Sequence, residues 1–196
     1  MNINNDQTAT FELDDFEKSL KGKRILIIGS GEDLDSRRMK DEIDNSDRWD
    51  LVVRINKMYG REECVGRRTD VIVTRWAQWV GVGNKFFDKD VVDAAKRVVI
   101  LNQSIGYSES EKSIIASEIG VDKVSAGPQA VAYFINRGVE HIDLIGFGYL
   151  NGEFMKQKRY ADNSHNYKTR MMDSNPLYDW NKERQWLINQ PEITFI

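Results

Sequence analysis

Apolar residues fall in short runs along the chain, separated by polar, glycine-bearing segments and by stretches of helical period. The first run, residues 24–28, is closed by Gly29, Ser30 and Gly31. A run of that length bounded by glycines predicts a strand buried on both faces. Residues 51–55, 70–74, 97–101 and 142–145 predict four more strands, the last ended by Gly146. Between them, 36–44 predicts a helix with Met39 and Ile43 four apart, and 92–95 a short one. Residues 108–119 predict a helix with Ile114, Ile115 and Ile119 on one side. Residues 127–136 predict another, with Ala130, Val131, Phe134 and Ile135 as its core face and Gly138 just past its end. Residues 179–189 predict a last helix that packs through Trp180, Trp186 and Leu187, whereas 149–177 have no clear period.

Strands alternating with helices predict an α/β fold, with a mainly parallel sheet and helices on both faces. The polar and acidic residues 1–20 read as an N-terminal extension, a tail or short peripheral helix, and 21–196 as a single catalytic domain. Ligands of such sheets bind beyond the carboxyl ends of the strands. The segments after Ile28, Ile55, Thr74 and Ile145 therefore define the expected active edge.

Composition narrows the function classes. A length of 196 residues suits one domain, and the net charge of −3 argues against a generally basic nucleic-acid binder while leaving room for a local basic patch. Cys64 is the sole cysteine, so neither an internal disulfide nor a cysteine-rich zinc site is expected. The two histidines, His141 and His165, are too few for a histidine-rich metal centre, and His141 reads as structural. The N-terminus has neither a basic nor an apolar leader segment, and the longest apolar runs are strand-length. The expectation is a cytoplasmic protein with no membrane segment.

Three constellations at the active edge can carry chemistry. Gly29, Ser30 and Gly31 let a ligand approach the backbone closely, though Leu34 stands where a dinucleotide fingerprint needs its third glycine. Arg54 and Asn56 close the second strand; Arg54 is a candidate phosphate or acceptor contact, and Asn56 can donate and accept toward a ribose or base. Ser125, Ala126 and Gly127 precede Pro128 and a helix. Ser125 suits the N-cap, and the exposed amides suit an anionic phosphate. Further along, Lys156, Lys158, Arg159, Lys168 and Arg170 are interleaved with Tyr160 and Tyr167, which suits a lid over donor phosphates or a contact with an acceptor. Trp76 and Trp79 follow the third strand, where aromatics often face sugar rings.

Taken in order, these segments resemble the sialyltransferase superfamily. Residues 25–74, with Gly29-Ser30-Gly31, Arg54 and Asn56, and then Val65, Gly66, Arg68, Thr69 and Asp70, look like its large motif. Residues 125–147, with Ser125, Gly127 and a closing Gly146 and Phe147, look like its small motif. The likeness spans roughly residues 24–190, and the small size suits a shortened, divergent enzyme of bacterial or phage type. It implies a Rossmann-like catalytic domain and a cytidine-linked sugar donor. Gly29, Ser30, Gly31, Asn56, Ser125, Ala126 and Gly127 then stand at donor-binding positions. Ser30 replaces an asparagine frequent in the family, which leaves a uridine-linked donor open. The family's late catalytic histidine corresponds to Tyr178, ahead of Asp179 and Glu183. His165 is accordingly the first candidate for catalytic acid or base, with Asp179 and Glu183 as alternatives.

The function expected is an inverting, metal-independent glycosyltransferase with no cofactor beyond its nucleotide-sugar donor. Its acceptor is either a surface glycan or a hydroxymethylated base in DNA. A catalytically inactive nucleotide- or glycan-binding module is the alternative, supported by Tyr178, and a nucleotide hydrolase on a similar sheet is a third.

Overall fold

Each predicted apolar run forms a strand. The computed structural model describes residues 13–56, 62–75, 89–101, 109–150, 153–154 and 179–196. Strands β1 (Arg24–Ile28), β2 (Leu51–Ile55), β3 (Val71–Thr74), β4 (Arg97–Ile100) and β5 (His141–Ile145) run parallel to one another. Two short strands, β6 (Tyr149–Leu150) and β7 (Glu153–Phe154), pair antiparallel within the stretch that showed no period. A final strand, β8 (Ile193–Phe195), adds a parallel edge to β5, giving a six-stranded sheet in the order β4-β3-β2-β1-β5-β8. It is three residues long, too short for periodicity to announce. The molecule is a single α/β domain with a Rossmann-like, all-parallel sheet.

The helices are α1 (Asp15–Lys18), α2 (Lys40–Asn45), α3 (Glu62–Val65), α4 (Lys89–Ala94), α5 (Glu109–Ile119), α6 (Ala126–Ile135) and α7 (Trp180–Ile188), with a 3-10 turn at Glu32–Ser36. Strand pleating sends alternate side chains to opposite layers. Ile25, Ile27, Val53, Val71 and Val73 join α5, α6 and α7 in the larger core. Leu26, Ile28, Val52 and Ile145 pack against Ile43, Trp49 and Val65 on the other face. Ile72 and Val91 form a third, smaller cluster.

Several local expectations change. The helix predicted over 36–44 is split: Arg37 is extended, and its guanidinium donates to the Tyr149 carbonyl oxygen at 2.8 Å, so α2 starts only at Lys40. Ile115 and Ile119 are buried on α5, whereas Ile114 is 56% exposed and belongs to the solvent side. Residues 13–20, read as the end of a polar extension, pack onto the body. Leu20 is in the core, and Glu17 is buried against Arg137 at 2.8 Å and Tyr133 Oη at 3.1 Å. Among the described residues no helix is long and apolar enough to cross a membrane.

Candidate functional site

In this strand order the chain steps outward from β1 in one direction through β4 and then returns to its other side with β5. The reversal leaves a crevice at the carboxyl ends of β1 and β5, the usual ligand position of open parallel sheets. A pocket lies there, lined by Gly29, Ser30 and Gly31 after β1, Ile55 and Asn56 after β2, and Ser125 to Pro128 at the start of α6. Gly146 and Phe147 after β5 and Trp180, Glu183, Arg184 and Leu187 of α7 complete it. The seven residues assigned to donor binding from the sequence thus share one cavity.

Close backbone packing explains the glycines. A Cβ on Gly29 would collide with the Gly146 carbonyl oxygen and stand 3.2 Å from the Phe147 ring; a Cβ on Gly127 would stand 2.9 Å from that ring. Phe147 is therefore wedged between the ends of β1 and α6 because both neighbours lack side chains. Asn56 has φ of 64°, a left-handed conformation that asparagine tolerates better than most residues. Its N–H donates to Val73 O at 2.8 Å, and its Oδ1 accepts the Arg75 N–H at 3.3 Å. With Oδ1 engaged, the side-chain NH2 is the group left to donate.

Ser125 departs from its expected role. It occupies the N-cap of α6, but its hydroxyl makes no capping bond. Instead Oγ donates to Glu183 Oε2 at 2.6 Å, and the Ser125 N–H donates to Oε1 at 2.7 Å. The Glu183 carboxylate thus fills the place an anion would take at this amide. Ala126 and Gly127 keep their N–H groups unclaimed at the start of a ten-residue helix, and Pro128 has none to offer. Burial raises the Glu183 pKa above its ordinary value, outweighing the two Ser125 bonds and the positive charge of Arg75. A carboxylate so engaged is poorly placed as a catalytic base.

Arg54 is a correction. The sequence put it at the active edge as a phosphate or acceptor contact, yet it is 2% exposed and points to the layer opposite Ile55. Its guanidinium donates to the carbonyl oxygens of Val65 (2.9 Å), Gly66 (2.8 Å) and Arg68 (3.2 Å) and to Thr69 Oγ1 (2.9 Å). Burial brings its pKa down to about 10, so it remains charged at neutral pH while it staples the loop after α3 to β2.

Asp179 is exposed and caps α7, its Oδ1 accepting the Lys182 N–H at 3.1 Å. His165, Tyr178, Lys156, Lys158, Arg159, Tyr160, Tyr167, Lys168, Arg170, Trp76 and Trp79 lie outside the described residues. His141 sits at the start of β5 with Nε2 3.1 Å from Asp143, away from the pocket lining. Sequence reasoning missed Arg184 and took Trp180 for core packing. The signal was present: Trp180, Glu183, Arg184 and Leu187 repeat at helical spacing, so two charged residues share the buried stripe of α7. Among the described residues no three His, Cys, Asp or Glu side chains gather as a metal-ligand set.

No family model and no curated protein matches the sequence. Solved structures do match in fold. A mammalian sialyltransferase superposes with a TM-score of 0.55 at 15% identity, covering 89% of this chain and 69% of the other. A mammalian sialyltransferase in complex with Gal-beta-1-3GalNAc-ortho-nitrophenol gives 0.52 at 18% identity, covering 92% and 71%. The chain therefore has a sialyltransferase-like fold, with its pocket at the switch point of the sheet.

Proposed function

We propose that this chain is a glycosyltransferase that takes a sugar from a cytidine- or uridine-linked donor and passes it to an acceptor hydroxyl with inversion. The observation that carries this reading is the pocket itself. Ala126 and Gly127, whose amides are unclaimed, line it together with Asn56 and its NH2 donor, a set of donors suited to the acceptor oxygens of a nucleotide phosphate. Trp180 and Phe147 add aromatic surface for a ring.

In the transfer step the acceptor hydroxyl gives its proton to a base and its oxygen bonds the anomeric carbon. The bond to phosphate breaks, and the nucleotide leaves with the electron pair and negative charge. His165 is the base, and Lys156, Lys158, Arg159, Tyr160 and Tyr167 contact phosphate or acceptor. No cofactor beyond the donor takes part. Asp33 of the Asp33-Leu34-Asp35 run already binds two backbone amides, which favours metal independence. The acceptor is a glycan or a hydroxymethylated DNA base. The lone Cys64 and the absence of disulfides suit a cytoplasmic setting.

The test is a thermal-shift series with cytidine and uridine nucleotides and their sugars, followed by transfer assays. A ligand bound only by the native state raises Tm by an amount that grows with its concentration. No shift with any of these nucleotides refutes the reading. His165→Ala should lower turnover by roughly 10²-fold with donor affinity nearly intact. An active His165→Ala enzyme beside a dead Asp179→Asn enzyme moves the role to the carboxylate. Nucleotide binding without turnover would favour the inactive binding module, which Tyr178 at the family's histidine position already supports.

A further inference from the structure

Asp33 is 1% exposed, and no catalytic step above uses it. It lies in the 3-10 turn immediately after Gly31, on the β1 side of the crevice. Its two carboxylate oxygens reach to the β5 side: Oδ2 accepts the Gly146 N–H at 2.8 Å and Oδ1 accepts the Gly148 N–H at 2.9 Å. Those amides flank Phe147, whose ring touches the space above both Gly29 and Gly127. Gly146 and Gly148 have φ of 75° and 78°, so this loop adopts a backbone that few other residues would hold. The Arg37 guanidinium stands 3.7 Å from Oδ2 and binds the Tyr149 carbonyl, extending the clasp by one residue. The Gly31 N–H adds a direct backbone tie to Gly146 O at 2.8 Å.

We infer that Asp33 is a positioning residue for the nucleotide pocket: by gripping the amides on either side of Phe147 it holds that ring against Gly29 and Gly127 and fixes the shape of the crevice. The inference rests on the nucleotide reading of the pocket for its effect on affinity, but the clasp itself can be tested without a ligand. Geometry selects a carboxylate here. Each oxygen faces an N–H, and an asparagine side chain would present an NH2 to one of them, leaving a donor against a donor. No ordinary substitution reproduces two acceptors at this reach. Two of its partners, the Gly146 and Gly148 amides, belong to one three-residue segment, of which Gly146 and Phe147 line the pocket.

Asp33→Asn is the test, with two readouts beside Tm. Hydrogen exchange at the Gly146 and Gly148 amides should be slow in the wild type, near that of β5, and at least about tenfold faster in the variant, while β1 to β3 keep their protection. The dissociation constant for CMP and for UMP should rise by about tenfold for whichever binds, measured where both proteins are folded. A Kd unchanged in D33N overturns the inference, as does exchange at 146–148 unchanged by the substitution. If the wild type binds neither nucleotide, the function proposed above fails on its own, and the exchange data alone decide the clasp. Should D33N not fold, the wild-type protein still decides it: freely exchanging Gly146 and Gly148 amides are incompatible with a clasp.

Discussion

Glu183 of α7 and Ser125 at the start of α6 are joined by two short hydrogen bonds, 2.7 Å from the backbone N–H and 2.6 Å from Oγ. They are 58 residues apart in sequence, and this contact fixes the last helix against the helix terminus that faces the pocket. Ser125→Ala removes one bond and Glu183→Gln turns an acceptor pair into a mixed group. Each should cost roughly 1.5–3 kcal/mol, the range for hydrogen bonds to a charged, buried partner. The double variant should fall short of their sum by at least about 0.5 kcal/mol, measured by urea denaturation. Strict additivity would mean the two side chains do not share an interaction in solution.

The same glutamate sets a pH dependence. Its pKa is raised by burial above the ordinary 4.5, so the folded protein holds this proton more tightly than the unfolded chain does. The stability it contributes is full below about pH 4.5 and declines as pH climbs through the raised pKa, then levels off. Glu183→Gln has no proton to lose. The stability of the wild type relative to this variant should therefore fall with rising pH across that window. A constant difference from pH 4 to 8 would show that the folded and unfolded states hold this proton equally, without the raised pKa.

Asn56 separates backbone from side-chain effects. Its φ of 64° means Asn56→Gly keeps the turn at little cost, whereas Asn56→Val should lose about 1–3 kcal/mol to strain. Both variants lack the NH2 donor, so both should weaken nucleotide binding by roughly tenfold. Titration calorimetry beside denaturation distinguishes the two effects. A glycine variant that binds as well as the wild type would remove Asn56 from the contact set.

Gly127→Ala should leave the fold largely intact, because the new methyl meets an aromatic edge rather than backbone. The Phe147 ring must yield to a Cβ only 2.9 Å away, and nucleotide affinity should drop by about tenfold or more as the pocket floor shifts. Phe147→Leu in the same chain should recover part of that loss. Gly29→Ala has no such remedy, since its methyl meets the Gly146 carbonyl, and should destabilise the whole domain.

The strands that form the sheet centre were readable from sequence because burial on both faces leaves nearly unbroken apolar runs, as in β1 and β3. The pocket was legible for a related reason: glycines follow directly on strand ends, at Gly29 and Gly146, and Ser125 opens a helix. Arg54 was misread because position at a strand end does not say which layer a side chain enters. Alternation with Ile55 does say that the two diverge, but only the pairing of β2 shows that Ile55 has the pocket side. Neither the Glu183–Ser125 bond nor the Asp33 clasp had a local signature. Each links segments far apart in the chain, 113 residues in the case of Asp33 and Gly146, and single-sequence patterns carry no such pairing.

The placement of β1 at the interior of the sheet bears on how the chain is made. Its partner on one side, β2, follows closely, but its partner on the other, β5, emerges from the ribosome only after four strands and most of the helices. Until then one whole edge of the most apolar strand is an open hydrogen-bonding template, and nascent chains on neighbouring ribosomes are the nearest competitors for it. Parallel pairing at such long range is also intrinsically slow. Production of this protein should accordingly be limited less by its final stability than by the interval between the synthesis of its first strand and its fifth. Lower growth temperature or slower initiation, both of which thin out the population of half-made chains, are the conditions that favour recovery of the folded form.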